Sequence, residues 1–182
     1  MPDYRRNRVP GGTYFFTINL RDRSSHLLID RIDVLRAAVR HARALAPFHI
    51  DAWVVLPNHM HCIWTLPEGD ADFPRRWFAI KVEFSKSLPA EGLRNPTLAN
   101  PGHRGIWQRG YWEHTIRDDR DYALHIDYTH FNPVKHGFVS TVADWPFSSF
   151  HRWVSRGMYP ARWGDAAQAA DCIRPTFGSA SK

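Results

Sequence analysis

The chain has 182 residues, 43% hydrophobic and 23% charged, enough for one domain with a sizeable core and short for two. No apolar run approaches the roughly 18 to 20 residues that cross a bilayer. The basic N-terminal stretch lacks the apolar region of a secretory signal, so a cytoplasmic protein that does not engage membranes is expected.

The net charge of +6 accompanies 8 Trp, 11 Phe and 6 Tyr. That pairing favours an anionic partner with exposed bases, since unpaired bases stack on aromatic rings while Lys and Arg follow phosphates. Many of these rings are also needed for a core. The two cysteines, Cys62 and Cys172, stand far apart and outside any CxxC spacing, which argues against a disulfide framework or a thiolate zinc site. Cys62 reads as a small core residue.

In chain order, a basic arm over residues 1–12 ends at Gly11-Gly12, and Thr13 to Leu20 reads as a β-branched and aromatic strand. Ile32 to Ala46 is predicted helical, with Leu35, Ala38, Val39, Ala42 and Leu45 on one face, Asp30 or Asp33 as cap and Pro47 as stop. Phe48 to Leu56 and His59 to Leu66 form two strands joined by a corner at Pro57-Asn58. Phe73, Trp77, Ile80 and Phe84 mark a second helix ending by Leu88-Pro89, and Pro89 to Gly105 reads as an irregular loop. Ile106 to Ile116 supplies a fourth strand with a break at Gly110.

This order, β-α-β-β-α-β, predicts an α+β fold: a ferredoxin-like antiparallel sheet with both helices on one face, the other face left open for a site. A third helix begins at Asp118, with Asp121 in capping-box position, and is expected to end near Phe131 because Asn132 precedes Pro133. The expected organisation is a single domain over 1–182, with an arm (1–12), a catalytic core (13–136) and a C-terminal extension (137–182). The aromatics Trp145, Phe147, Phe150, Trp153 and Trp163 of that extension are expected to pack back as short helices and loops.

Two constellations carry chemistry. In LPNHMHCIW, strand alternation places His59 and His61 on one face and Met60, Cys62 and Trp64 on the other, so two imidazoles would project within reach of one cation. By itself HxH is not specific. In DYTHFNP, Tyr128 and Asn132 are four apart and share a helix face. Asn132 at the expected helix end reads ordinarily as a C-cap, a role that can coexist with that of an oxygen ligand. Tyr128 reads equally, on spacing alone, as a core ring. Two imidazoles and an amide oxygen suit Mg²⁺ or Mn²⁺ with positions left for water or phosphate.

Tyr122 falls on the opposite helix face from Tyr128, and Tyr111 on a strand. His125 and His130 are relay candidates whose ordinary role on a helix is polar surface. Basic residues placed to follow DNA are Arg5, Arg6, Arg8, Arg75, Arg76, Lys81, Arg104, Arg109, Lys135 and Arg152.

YRR at 4–6, GGTYFFT at 11–17, AWVVLPNHMHCIWTLPEGD at 52–70, RW at 76–77, IK at 80–81, WEH at 112–114, DYTHFNPVKHG at 127–137 and DWPFSSFHRWV at 144–154 resemble, in order and spacing, the REP-associated tyrosine transposases. These are bacterial relatives of the single-tyrosine HUH transposases. The resemblance implies a nuclease domain whose HUH histidines are His59 and His61, whose nucleophile is Tyr128 and whose amide ligand is Asn132. It further implies metal-dependent cleavage and rejoining of single-stranded DNA at palindromic repeat hairpins through a 5′-phosphotyrosine, by a monomer or a homodimer.

Two other readings compete. One is a domesticated, non-catalytic DNA-binding protein of repetitive palindromes, against which the intact His59, His61, Tyr128 and Asn132 set speaks. The other is a small-molecule phosphoesterase, which would need further Asp or His ligands at strand ends that the sequence does not offer.

Overall fold

β1 (Thr13–Asn19), dense in β-branched and aromatic residues, runs between β3 (His59–Thr65) and β4 (Trp112–Thr115) and is antiparallel to both. With β2 (His49–Val55) at the edge, the neighbour order is β2-β3-β1-β4. Helices α1 (Leu27–Asp30) and α2 (Ile32–Leu45) lie between β1 and β2 in sequence, and α3 (Phe73–Lys86) between β3 and β4. The fold is therefore α+β with a four-stranded antiparallel sheet, compatible with the ferredoxin-like order. This computed structural model describes residues 7–89 and 105–164. The described residues form two compact units, one drawn from 1–51 and 55–116 and the other from 52–54 and 117–164.

In the first unit the pleat sorts β1 and β3 into two faces. Tyr14, Phe16 and Ile18 pair in register with Trp64, Cys62 and Met60, and all six are buried. Phe73, Trp77, Ile80 and Phe84 of α3 supply the opposing surface. Trp64 stacks on Trp77 at 4.1 Å, and Phe16 lies 5.3 Å from Phe73. α2 packs beside α3 and buries Leu35, Ala38, Val39 and Ala42, four of the five residues predicted for its apolar stripe. Leu45, the fifth, is 70% exposed. Cys62 is a core residue, and burial pushes its thiol well above the ordinary range.

Local chemistry caps α3 but leaves α2 without the expected side-chain cap. Asp72 caps α3 by accepting the Arg75 N–H at 3.3 Å. Neither Asp30 nor Asp33 caps α2, because Asp30 closes α1 and Arg31 takes the N-cap position without a side-chain bond. The fourth strand is shorter than expected: only Trp112–Thr115 is regular, and residue 107 meets Leu20 in an isolated bridge.

Arg76 corrects a further expectation. It is 3% exposed, and its five N–H groups are bonded within the chain. Nε donates to the Ala46 carbonyl (3.2 Å), and Nη1 to Asp70 (3.2 Å) and the Asp72 carbonyl (3.1 Å). Nη2 donates to the Pro47 carbonyl and Asp70, both at 2.7 Å. No donor remains for a phosphate, so Arg76 holds the loop before α3 to the end of α2.

The second unit is built on α4 (Asp119–Lys135), followed by the 3-10 turn η1 (Val142–Asp144) and α5 (Phe150–Ser155). Asp118 caps α4 by accepting the Asp121 N–H at 2.8 Å, as expected. The helix does not end at Phe131: it runs through Pro133 to Lys135. Its last carbonyls are satisfied beyond the proline, Asn132 by the His136 N–H (3.0 Å), Val134 by Gly137 (2.9 Å) and Pro133 by Phe138 (3.0 Å). Gly137, at φ +71, supplies the left-handed residue that ends it. The C-terminal aromatics pack as expected: Phe150, Trp153 and Tyr159 lie edge-on around His130, at 5.8, 5.8 and 5.5 Å.

Candidate functional site

In the first unit, register places Asn19 opposite His59 and Thr17 opposite His61, so both imidazoles share a face with Phe15. Their ring centroids are 5.2 Å apart and nearly perpendicular. That face is not open at the two imidazoles, for His59 and His61 are 6% and 4% exposed.

Both rings are held from the Nδ1 side. His59 Nδ1 donates to the Asn58 amide oxygen at 2.6 Å, and Asn58 is fixed in turn by its bond to the Arg23 carbonyl. His61 Nδ1 lies 2.9 Å from the Thr17 hydroxyl, and its ring stacks on Phe15 at 5.5 Å. Partners of this kind fix ring orientation and tautomer in metal-ligating histidines. They make Nε2 the nitrogen each ring would present to a cation.

Two further residues belong to that sheet face, because Trp112 pairs with Thr17 and His114 with Phe15. Their rings are parallel, 5.9 Å apart, and Trp112 is 40% exposed. In the sequence, WEH stands out only as part of the family motif. Its period of two, Trp112 and His114 around Glu113, was the signal that both point the same way.

In the second unit, Tyr128 is half-buried on α4. Lys135 Nζ lies 3.4 Å from its hydroxyl and 4.6 Å from its ring centroid. Asn132 is fully buried. Its Nδ2 donates to the Tyr128 carbonyl at 3.5 Å, and its Oδ1 has no hydrogen-bond partner among the described residues. Leaving a buried acceptor unsatisfied costs about 1–3 kcal/mol, and such a group calls for an explanation. An oxygen ligand to a hard cation is one that fits. Oriented imidazoles and an unsatisfied amide oxygen are each donor types that Mg²⁺ or Mn²⁺ accepts.

The relay candidates are not surface residues. His130 is fully buried, with Nε2 2.9 Å from the Ser149 hydroxyl. Burial, aided by the charges of Arg152 and His151, lowers its pKa to about 3, so it is neutral at physiological pH. His125 is buried with Nδ1 bonded to the Asp121 carbonyl at 2.8 Å. Asp127, beside the candidate nucleophile, accepts the Tyr159 hydroxyl, and burial raises its carboxyl above the usual range. That contact ties residues after α5 to α4. Tyr111 packs toward the helices, 6.0 Å from Phe16 and 6.1 Å from Trp77.

Of the basic candidates, Arg8, Arg75, Arg109, Lys135 and Arg152 are exposed. Lys81 is half-buried, bonded to the Gln108 carbonyl at 3.3 Å and over the Trp107 and Tyr111 rings. Arg5, Arg6 and Arg104, with Tyr4, Cys172, residues 90–104 and residues 165–182, lie outside the described residues.

No family model matches the chain. A REP-associated tyrosine transposase of Escherichia coli (strain K12) is 53% identical over 163 residues, 90% of this chain and 91% of that protein. A second protein bearing that family name, from Haemophilus influenzae (strain Rd), is 46% identical over 90% of this chain and 94% of its own length. A REP-associated tyrosine transposase solved bound to a REP hairpin superposes with a TM-score of 0.81 at 50% identity, covering 96% of this chain and 98% of that one. Identity of this extent, over nearly the full length of both proteins, settles the family: the chain belongs to the REP-associated tyrosine transposases.

Proposed function

We propose that the protein cuts and rejoins single-stranded DNA at palindromic repeat hairpins, with Tyr128 as nucleophile and His59, His61 and Asn132 as ligands of one divalent cation. Family membership supports the hairpin substrate, since a relative of half-identical sequence is bound to a REP hairpin. The observation that carries the chemistry is the orphaned Asn132 Oδ1, one helical turn after Tyr128.

Tyr128 attacks the scissile phosphorus through its phenol oxygen. The new O–P bond forms as the bond to the 3′-oxygen breaks, the phenol loses its proton and the departing 3′-oxygen gains one. The product is a 5′-phosphotyrosine and a free 3′-OH. A second 3′-OH reverses the step, returning the proton to Tyr128 and joining the strands. Because the bond is exchanged rather than hydrolysed, no energy source is needed. When bound, Mg²⁺ or Mn²⁺ supplies charge withdrawal at the non-bridging oxygens and orients the phosphate. Thr17 and Asn58 hold the two imidazoles, and exposed arginines with Trp112 contact the strand.

The test is incubation of the purified chain with a labelled single-stranded hairpin and Mn²⁺. Cleavage is expected, and EDTA, His59→Ala or His61→Ala should abolish it. Activity that persists in EDTA would remove the cation from the mechanism. Binding without cleavage under any divalent ion would favour the non-catalytic DNA-binding reading.

A further inference from the structure

We infer that Lys135 is a catalytic residue that stabilises the Tyr128 oxygen in both cutting and rejoining, an inference that rests on Tyr128 being the nucleophile. Residues seven apart lie two turns along a helix on nearly the same face. The relation exists only because α4 continues through Pro133; a helix broken before the proline would send Lys135 elsewhere. Its Nζ reaches the phenol hydroxyl at 3.4 Å and stands 4.6 Å from the ring centroid. One ammonium thus touches the reacting atom and fixes the ring that carries it. Catalytic hydrogen bonds are often longer before substrate binds than in the reacting complex.

During attack, the phenol oxygen carries negative charge as its proton leaves and before the O–P bond is complete. During rejoining it carries that charge again as the O–P bond to tyrosine breaks. An ammonium donating to that oxygen stabilises both moments without giving up a proton. Two other roles are open to a lysine here, and they differ in what they move. A cation at a helix C-terminus favours the helix dipole and affects stability only. A phosphate contact affects DNA affinity and its salt dependence.

The experiment uses the full chain, Mn²⁺ and a single-stranded hairpin oligonucleotide at saturation, and follows covalent adduct formation and rejoining in single turnovers. Lys135→Gln should slow both by roughly 100-fold. Hairpin affinity, measured in a Tyr128→Phe background, should stay within about twofold and thermal unfolding should be unchanged. Lys135→Cys treated with bromoethylamine, which rebuilds a lysine-like amine, should recover the rate, with treated wild type as control.

Unaltered rates in Lys135→Gln would overturn the inference while leaving Tyr128 in place. A loss confined to affinity would make Lys135 a DNA contact and overturn it too. If the wild type forms no adduct at all, the nucleophile assignment fails and this inference falls with it.

Discussion

The Thr17 hydroxyl sits 2.9 Å from Nδ1 of His61, across the β1–β3 register that pairs those residues. The Asn58 amide oxygen does the same for His59 at 2.6 Å. Partners that orient metal-ligating histidines typically contribute 10–100-fold in metal affinity. Thr17→Val and Asn58→Ala should therefore each weaken Mn²⁺ binding by roughly 10-fold or more, measured by calorimetry or by the free-ion resonance signal. Unchanged affinity in both would mean the imidazoles are not ligands or are held by other contacts.

Arg76 and Arg75 are neighbours with opposite fates, one buried with every donor bonded and the other exposed. Removing Arg76 leaves the Ala46, Pro47 and Asp72 carbonyls without their donor, while Asp70, a third exposed, stays solvated; Arg76→Ala should lower unfolding free energy by about 1–3 kcal/mol in denaturant titrations. Arg76→Lys should also destabilise, because one ammonium cannot reproduce the fork that spans Asp70 and three carbonyls. Arg75→Ala should stay within about 0.5 kcal/mol. Equal effects of the two alanines would contradict the structural role.

His130 makes stability acid-sensitive. Its folded pKa, about 3, lies below the roughly 6.5 of an unfolded histidine. Below about pH 6.5 the unfolded chain binds a proton that the folded chain refuses, so stability is full above that pH and falls as pH drops toward 3. The slope from this residue is at most about 1.4 kcal/mol per pH unit. His130→Gln should flatten the fall between pH 6.5 and 4.5 in denaturant titrations, even if it lowers stability at pH 7. An unaltered slope would show that His130 titrates normally.

Hairpin affinity should fall steeply with salt, and removing one phosphate contact should reduce the log–log slope by about 0.7–0.9. Among Arg8, Arg75, Arg109 and Arg152, those that touch the backbone will show that decrement. Trp112→Ala should cost about 1–3 kcal/mol on unpaired DNA by loss of stacking, with the slope unchanged. A slope change in Trp112→Ala would point to a general loss of structure.

Much of the fold was legible because alternation and helical period are direct consequences of burial. TYFFTIN and HMHCIW sort cleanly into two faces, and Leu35, Ala38, Val39 and Ala42 into one stripe. Other features were hidden for identifiable reasons. Pro133 argued for a helix end at Phe131, yet a proline in the last turns sacrifices one N–H bond while Gly137, four residues on, supplies the actual stop. Charge alone made Arg76 look like a DNA contact, since its partners Ala46, Pro47 and Asp70 come together only in three dimensions. His130 was misread as surface because helical spacing does not say which face α5 and Tyr159 cover. The metal-ligand candidates were visible as types and spacings, whereas Thr17 and Asn58, which orient them, needed the strand register.

The most direct measurement is covalent capture on a denaturing gel of a hairpin oligonucleotide labelled 3′ to its cleavage site, with Mn²⁺, by wild type and by Tyr128→Phe. Wild type is predicted to give a protein–DNA band whose linkage maps to Tyr128 by mass spectrometry, and Tyr128→Phe to bind the same oligonucleotide without forming one. An adduct in Tyr128→Phe, or cleavage by wild type that leaves no protein on the DNA, would contradict the account.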